Sequence, residues 1–201
     1  MLSAAKEYIE AVIIAVAVFF ILQVSVQNFK VEGSSLEPTL QNGEYLLVNK
    51  LVYLRVDMQR FSGLIPFWQV KEEKSYFLVH PPRPGDIVVF RYPLDPDRDF
   101  VKRVVAVPGQ TVEIRRGVFY VDGKRLEGEY ASTGQPSEQM GPRLLGPNEY
   151  FVVGDNRLFS SDSRDWGPVP LENIIGKAWV VYWPFSKLGF MKGADLGVDA
   201  P

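Results

Sequence analysis

Val101-Lys102-Arg103-Val104-Val105-Ala106-Val107-Pro108-Gly109 is followed by Thr111-Val112-Glu113-Ile114 and, past Arg116-Gly117, by Val118-Phe119-Tyr120-Val121. Short β-branched and aromatic runs, alternating or continuous and closed by Gly-containing turns, are the pattern of strands and not of helices. Tyr45-Leu46-Leu47-Val48, Asp86-Ile87-Val88-Val89-Phe90, Tyr150-Phe151-Val152-Val153 and Ala178-Trp179-Val180-Val181-Tyr182 repeat it along the chain. Asn42-Gly43, Pro84-Gly85, Pro108-Gly109, Asp122-Gly123 and Gly154-Asp155-Asn156 fall between the runs as turns. A mainly β, antiparallel domain follows, with Arg116-Gly117 and Asp122-Gly123 outlining a tight meander. The polar, Gly- and Pro-rich stretch near 124–147 reads as a loop or insertion.

Outward from this β region lies a different kind of segment. Residues 9–26 are almost entirely apolar, with Glu10, Gln23 and Ser25 the only interruptions, all near the ends. Roughly 20 residues cross a bilayer, so the length suffices for one transmembrane helix. A cleaved leader and a buried core helix pass the same length test, but Ser25-Val26-Gln27-Asn28 offers no small-x-small cleavage site. Lys6 before the segment is balanced by Lys30 and Lys50 after it, so charge does not fix the orientation. We expect an anchor over 1–28 and a β domain over 29–201. The run at 61–68, with Leu64, Ile65, Phe67 and Trp68, reads as core or interdomain packing, with contact to a membrane surface as the alternative.

Composition narrows the chemistry. A formal net charge of -2 leaves no basic surplus for neutralising phosphates, so nucleic acid is not an expected partner. With no Cys and a single His, His80, a cysteine protease and thiolate zinc sites are excluded, and no carboxylate cluster has metal-ligand spacing. We expect no metal and no cofactor. A Ser-His-Asp arrangement would rest on His80 alone. A serine worked by a lysine is simpler: Ser35 sits in Val31-Glu32-Gly33-Ser34-Ser35-Leu36-Glu37-Pro38-Thr39-Leu40, and Lys102 on the strand quoted first. A serine hydroxyl needs a base within reach, and an amine serves only when neutral. Phe100, Val101 and Val104 could desolvate Lys102 and depress its pKa; on residue type alone, a lysine in an alternating strand simply faces water.

Four segments taken together resemble, in order, the boxes of the type I (leader) signal peptidases. They are Ser35-Leu36-Glu37-Pro38-Thr39-Leu40, Pro84-Gly85-Asp86-Ile87-Val88-Val89-Phe90, the run from Val101 to Gly109, and Gly154-Asp155-Asn156-Arg157-Leu158-Phe159-Ser160-Ser161-Asp162-Ser163-Arg164-Asp165-Trp166-Gly167. The resemblance implies a membrane-anchored serine endopeptidase with a β catalytic domain outside the cytoplasmic membrane, cutting signal peptides from exported preproteins. By position it implies Ser35 as nucleophile, Lys102 as general base, Ser160 as the hydroxyl orienting the lysine, and Arg103, Asp155, Asp162 and Arg164 as charges bracing the site. Family substrates carry small residues one and three positions before the cut, and Phe29, Val31, Leu36, Leu40, Phe100 and Val101 are the expected pocket. The resemblance also implies the Ser35 N–H as the first candidate oxyanion donor. Gly33 stands where some members place a serine donor, Leu36 where methionine is usual, and Phe159 where a polar residue is common.

Two other readings stay open at this point. A self-cleaving repressor-type hydrolase shares the dyad, but the apolar segment stands where a DNA-binding helix pair is expected. A non-catalytic, membrane-anchored binding protein could keep the scaffold; the joint presence of Ser35, Lys102 and Ser160 argues against decay.

Overall fold

The computed structural model describes residues 2–57, 75–77, 79–128 and 134–198; the apolar run at 61–68 lies outside them. The apolar N-terminal segment is helix α1 (Leu2–Ser25), whose large side chains, Val12, Phe19, Phe20 and Ile21 among them, are exposed all round. A helix that is apolar on every face and buries little against the described residues matches a bilayer-crossing element in length and composition. It ends at Ser25, whose hydroxyl donates back to the Ile21 carbonyl, and the chain passes at once into a strand.

Among the described residues fourteen strands follow: β1 (Val26–Lys30), β2 (Tyr45–Asn49), β3 (Arg55–Asp57), β4 (Ser75–Phe77), β5 (Ile87–Tyr92), β6 (Asp95–Ala106) and β7 (Thr111–Arg115). Then come β8 (Val118–Val121), β9 (Lys124–Arg125), β10 (Met140–Leu144), β11 (Glu149–Val153), β12 (Val169–Pro170), β13 (Ile174–Trp183) and β14 (Gly189–Phe190). The main sheet runs β1-β2-β13-β5-β6-β11-β12, with β14 on β13; β10-β7-β8-β9 form a second sheet and β3-β4 a ribbon. The described pairings are antiparallel.

The sequence pattern maps directly onto burial. Continuous apolar runs become strands buried on both faces, as in β5 (Ile87 to Phe90 all buried) and β11. Alternating runs become one-sided strands, as in β2, β7 and β8. Arg116 and Asp122 both take positive φ before a glycine that does the same, the backbone a right-twisted two-residue hairpin requires.

Two expectations change here. The stretch near 124–147 is not simply a loop, because β9 pairs β8 and β10 pairs β7. Gly141 and Pro142 hide β10 from a periodicity reading; proline is tolerated because β10 is an edge strand, with a register shift between Met140 and Arg143. The boundary expected at 28 also falls earlier, since β1 starts at Val26 and registers Val26 to Lys30 against Asn49 to Tyr45.

Three buried clusters hold the fold. One lies between β6, β11 and the second sheet, around Val105, Phe119, Phe151 and Leu196. Another, around Leu36, Leu40, Val48 and Val181, lies under the turn after β1, and a third surrounds Val88, Phe90, Val104 and Tyr150.

Candidate active site

The turn between β1 and β2 carries Ser35, and the buried half of β6 carries Lys102. Lys102 Nζ lies 2.7 Å from Ser35 Oγ and donates to the Val101 carbonyl at 3.1 Å. Only 5% of Lys102 is exposed. Burial lowers its pKa from the ordinary 10.5 to about 8, an effect that the Asp162 and Asp155 carboxylates oppose and Arg164 assists. The Phe100 ring stands 5.4 Å from the amine. Lys102 is therefore turned inward, against the residue-type expectation for an alternating strand.

The turn bearing Ser35 is pinned from the segment after β11. The Asn156 N–H donates to the Ser35 carbonyl at 3.0 Å, and its side-chain amide to the Ser34 carbonyl at 3.2 Å. With its carbonyl engaged in this way, the Ser35 N–H makes no internal hydrogen bond among the described residues. Gly154 is packed so closely against the Ser35 carbonyl and the Ser160 side chain that a Cβ would overlap both, coming within 2.6 Å of Ser160 Cβ.

Two charged clamps flank the pair. Arg103 meets Asp155 through two bonds of 2.7 Å, with both side chains 1% exposed, and its third nitrogen donates to the Gly85 carbonyl at 2.8 Å. Thr39 Oγ1 donates to Asp155 at 2.5 Å, tying the turn that bears Ser35 to the same carboxylate. Asp162, fully buried, caps helix α2 (Ser163–Trp166) and accepts from the Gly154 N–H at 3.0 Å. Arg164 chelates it at 2.7 and 2.8 Å and reaches Glu138 at 3.0 Å. A bidentate guanidinium–carboxylate pair fixes orientation as well as charge.

Ser160 is placed differently from expectation. Its hydroxyl donates to Asp162 at 2.6 Å, and the hydrogen bonds of Lys102 among the described residues go to Ser35 and Val101. Ser160 thus abuts the site through Gly154 rather than holding the amine directly.

A cleft of about 300 Å³ includes Ser35 and Lys102 in its lining, together with Phe29, Val31, Leu46, Val89, Phe100 and Val101. Leu36 and Leu40 do not line it. They are 1% and 0% exposed and form the core beneath the turn, because the loop buries its leucines to present its serines. Lys30, Glu32, Asp99 and Ser161 complete the lining. His80 lies elsewhere, its Nδ1 2.6 Å from the Pro81 carbonyl and its ring edge-on to Tyr53. Among the described residues no group of three or more His, Asp or Glu is placed to hold a metal. Sequence reasoning missed Thr39, Asn156 and Glu138; Asn156 and Thr39 lie inside segments it had singled out, where polar side chains beside tight turns were the available signal.

The chain is similar to known proteins. The family model described as signal peptidase, peptidase S26, matches residues 5–183. The chain is 35% identical over 193 residues to a Synechocystis protein named "Probable signal peptidase I-1", covering 92% of this chain and 85% of that one. It is 33% identical over 191 residues to signal peptidase I of Bacillus caldolyticus, covering 88% and 91% of the two chains. A solved signal peptidase I from Enterococcus faecalis V583 aligns with a TM-score of 0.43 and 29% identity, over 49% of this chain and 97% of that one.

Proposed function

This chain belongs to the signal peptidase family, peptidase S26, and is a serine peptidase; from that premise we propose that Ser35 and Lys102 form its catalytic dyad and cleave signal peptides from exported preproteins. The observation that carries the proposal is the 2.7 Å separation of Ser35 Oγ from an amine whose pKa burial lowers to about 8.

In the neutral state the lysine lone pair accepts the Ser35 O–H. Oγ bonds to the scissile carbonyl carbon as its proton passes to Nζ, and the negative charge collects on the former carbonyl oxygen. The unengaged Ser35 N–H faces that charge as a donor. Collapse of the tetrahedral species breaks the C–N bond, and Lys102 gives its proton to the departing amine. The ester on Ser35 is then opened by water, with Lys102 again taking a proton and returning it to Oγ. Ser160 acts through Asp162 and Gly154, while Arg103, Asp155, Asp162 and Arg164 keep the two segments in place.

β1 is the edge of the main sheet, and its end, Phe29 and Lys30, lines the cleft together with Phe100 and Val101. An extended substrate can therefore add to a strand edge while its side chains enter the cleft at alternate positions. The apolar part of the lining, formed by Phe29, Val31, Leu46, Val89, Phe100 and Val101, receives short side chains, such as Ala, one and three residues before the cut.

Helix α1 anchors the chain in the cytoplasmic membrane, with the β domain on the extracytoplasmic side, where preproteins present their cleavage sites. The lipid bilayer and the signal peptide are the partners of this reading. The working experiment is capture of the acyl ester: mass spectrometry of protein quenched during turnover should find the adduct on the peptide containing Ser35. Its absence there, or an adduct in Lys102→Ala as abundant as in wild type, would overturn the assignment.

A further inference from the structure

Residues 191–198 lie beyond the stretch matched by the family model, which ends at 183. They nevertheless reach, from behind, the supports on which the catalytic pair stands. Met191 donates its N–H to the Trp179 carbonyl at 2.8 Å and packs on the cluster of Leu36 and Leu40, the core beneath the Ser35 turn. Two residues on, the segment crosses the Gly85–Asp86 turn, and the Ala194 N–H donates to the Gly85 carbonyl at 3.1 Å.

That carbonyl also receives the Arg103 guanidinium at 2.8 Å. A carbonyl oxygen has two lone pairs, so these two donors saturate it. Gly85 takes φ +90° and presses so tightly on the Ala194 backbone that a Cβ would overlap it. Further along, Leu196 is 1% exposed and Val198 is buried, both in the cluster containing Val105 of β6 and Val153 of β11. The Leu196 carbonyl accepts from the Glu127 N–H at 3.0 Å, fastening the same segment to the chain leaving the second sheet.

Resting on the dyad reading above, we propose that residues 191–198 are a positioning strap that holds the Ser35 turn and the Lys102–Arg103 strand in register. Successive residues of a strand point to opposite faces, so Arg103 projects away from Lys102, and its seat on Gly85 fixes the strand from the far side. Loosening that seat moves Lys102 relative to Ser35, and a displacement of about 1 Å costs on the order of 100-fold in rate.

The test uses the full chain in detergent or lipid. Ala194→Pro deletes the N–H that reaches Gly85, and Leu196→Val trims the buried end of the strap. Each is compared with wild type and Ser35→Ala on one preprotein, with circular dichroism to verify folding. We expect folded Ala194→Pro to lose about tenfold or more in kcat with KM within about twofold. Its pH–rate limb should move upward from about 8 as water reaches the amine. Leu196→Val should show the same signature at smaller amplitude, and it carries the test alone if Ala194→Pro does not fold. A strap that matters only for stability would lower the melting temperature and leave kcat and the limb of folded protein unchanged, which would overturn the proposal. Wild type that fails to cut, or Ser35→Ala that cuts equally well, would instead overturn the dyad reading.

Discussion

Lys102 Nζ and Ser35 Oγ stand 2.7 Å apart across 67 positions of sequence, and neither element alone could bring them there. The turn holding Ser35 is secured by Asn156 and Thr39, and the strand holding Lys102 by Arg103 on Asp155 and Gly85. Asp155 belongs to both sets. Its Oδ2 accepts from both the Thr39 hydroxyl and the Arg103 guanidinium, which also holds Oδ1, so a single buried carboxylate couples the Ser35 turn to the Lys102 strand.

The lowered lysine pKa sets the pH dependence. On the proposed dyad Lys102 takes the proton only when neutral, so kcat should rise with pH through about 8 and level off above it. A rate flat from pH 6 to 10 would contradict this. The same shift acts on stability with a definite sign: below pH 8 the folded state holds a buried charge that the unfolded chain solvates better, and the penalty fades as pH rises from 8 to 10.5. Lys102→Met is therefore expected to be inactive yet more stable by up to about 3 kcal/mol at pH 7, less about 1 kcal/mol for the lost hydrogen bond. Urea denaturation at pH 7 and near pH 10.5 checks it, since the advantage should shrink at the higher pH.

Asp155→Asn leaves the Arg103 guanidinium buried without its counter-charge. Such a change costs about 3–5 kcal/mol, so the variant should unfold at markedly lower urea and lose activity. A stability change under about 1 kcal/mol would mean that the pair does not brace the site as described.

Gly154→Ala and Ser160→Ala separate two effects. The added methyl collides with the Ser35 carbonyl and the Ser160 side chain, so Gly154→Ala should displace the nucleophile and cut kcat by about 100-fold or more. Ser160→Ala removes a hydrogen bond to Asp162 that does not touch the amine, and a loss nearer tenfold is expected. If steady-state kinetics gave Ser160→Ala the severity of Lys102→Ala, a direct Ser160–lysine contact during turnover would be required.

Removal of residues 2–24 takes away a helix that buries little against the β domain and leaves β1 intact. Hydrolysis of a soluble peptide should persist, while cutting of a bilayer-embedded precursor should fall, because shared membrane residence raises effective concentration. Equal losses on both substrates, measured side by side, would make α1 part of the catalytic fold.

The β architecture was legible because Ile87 to Phe90 and Tyr150 to Val153 announce doubly buried strands, while Thr111 to Val121 alternates around a turn only a hairpin uses. β10 was not, since Met140-Gly141-Pro142-Arg143-Leu144 has neither alternation nor β-branched residues and owes its conformation to pairing with β7. At the site, the four segments that resemble the signal peptidase boxes singled out Ser35 and Lys102, but could not separate Leu36 and Leu40, which are core, from Phe29 and Val31, which line the cleft. All four are apolar residues near the nucleophile, and only the path of the turn decides which face inward. The partner of Ser160 was equally hidden: Asp162, two residues on, competes for its proton.

The most direct measurement of the central claim is cleavage of a model precursor bearing an Ala-x-Ala site by purified full-length protein in detergent or lipid, beside Ser35→Ala, with the cut located by mass spectrometry. The account predicts a single cut after the second Ala by wild type and none by the variant. No cutting by folded wild type, or equal cutting by Ser35→Ala, would contradict it and favour a binding protein built on the same scaffold.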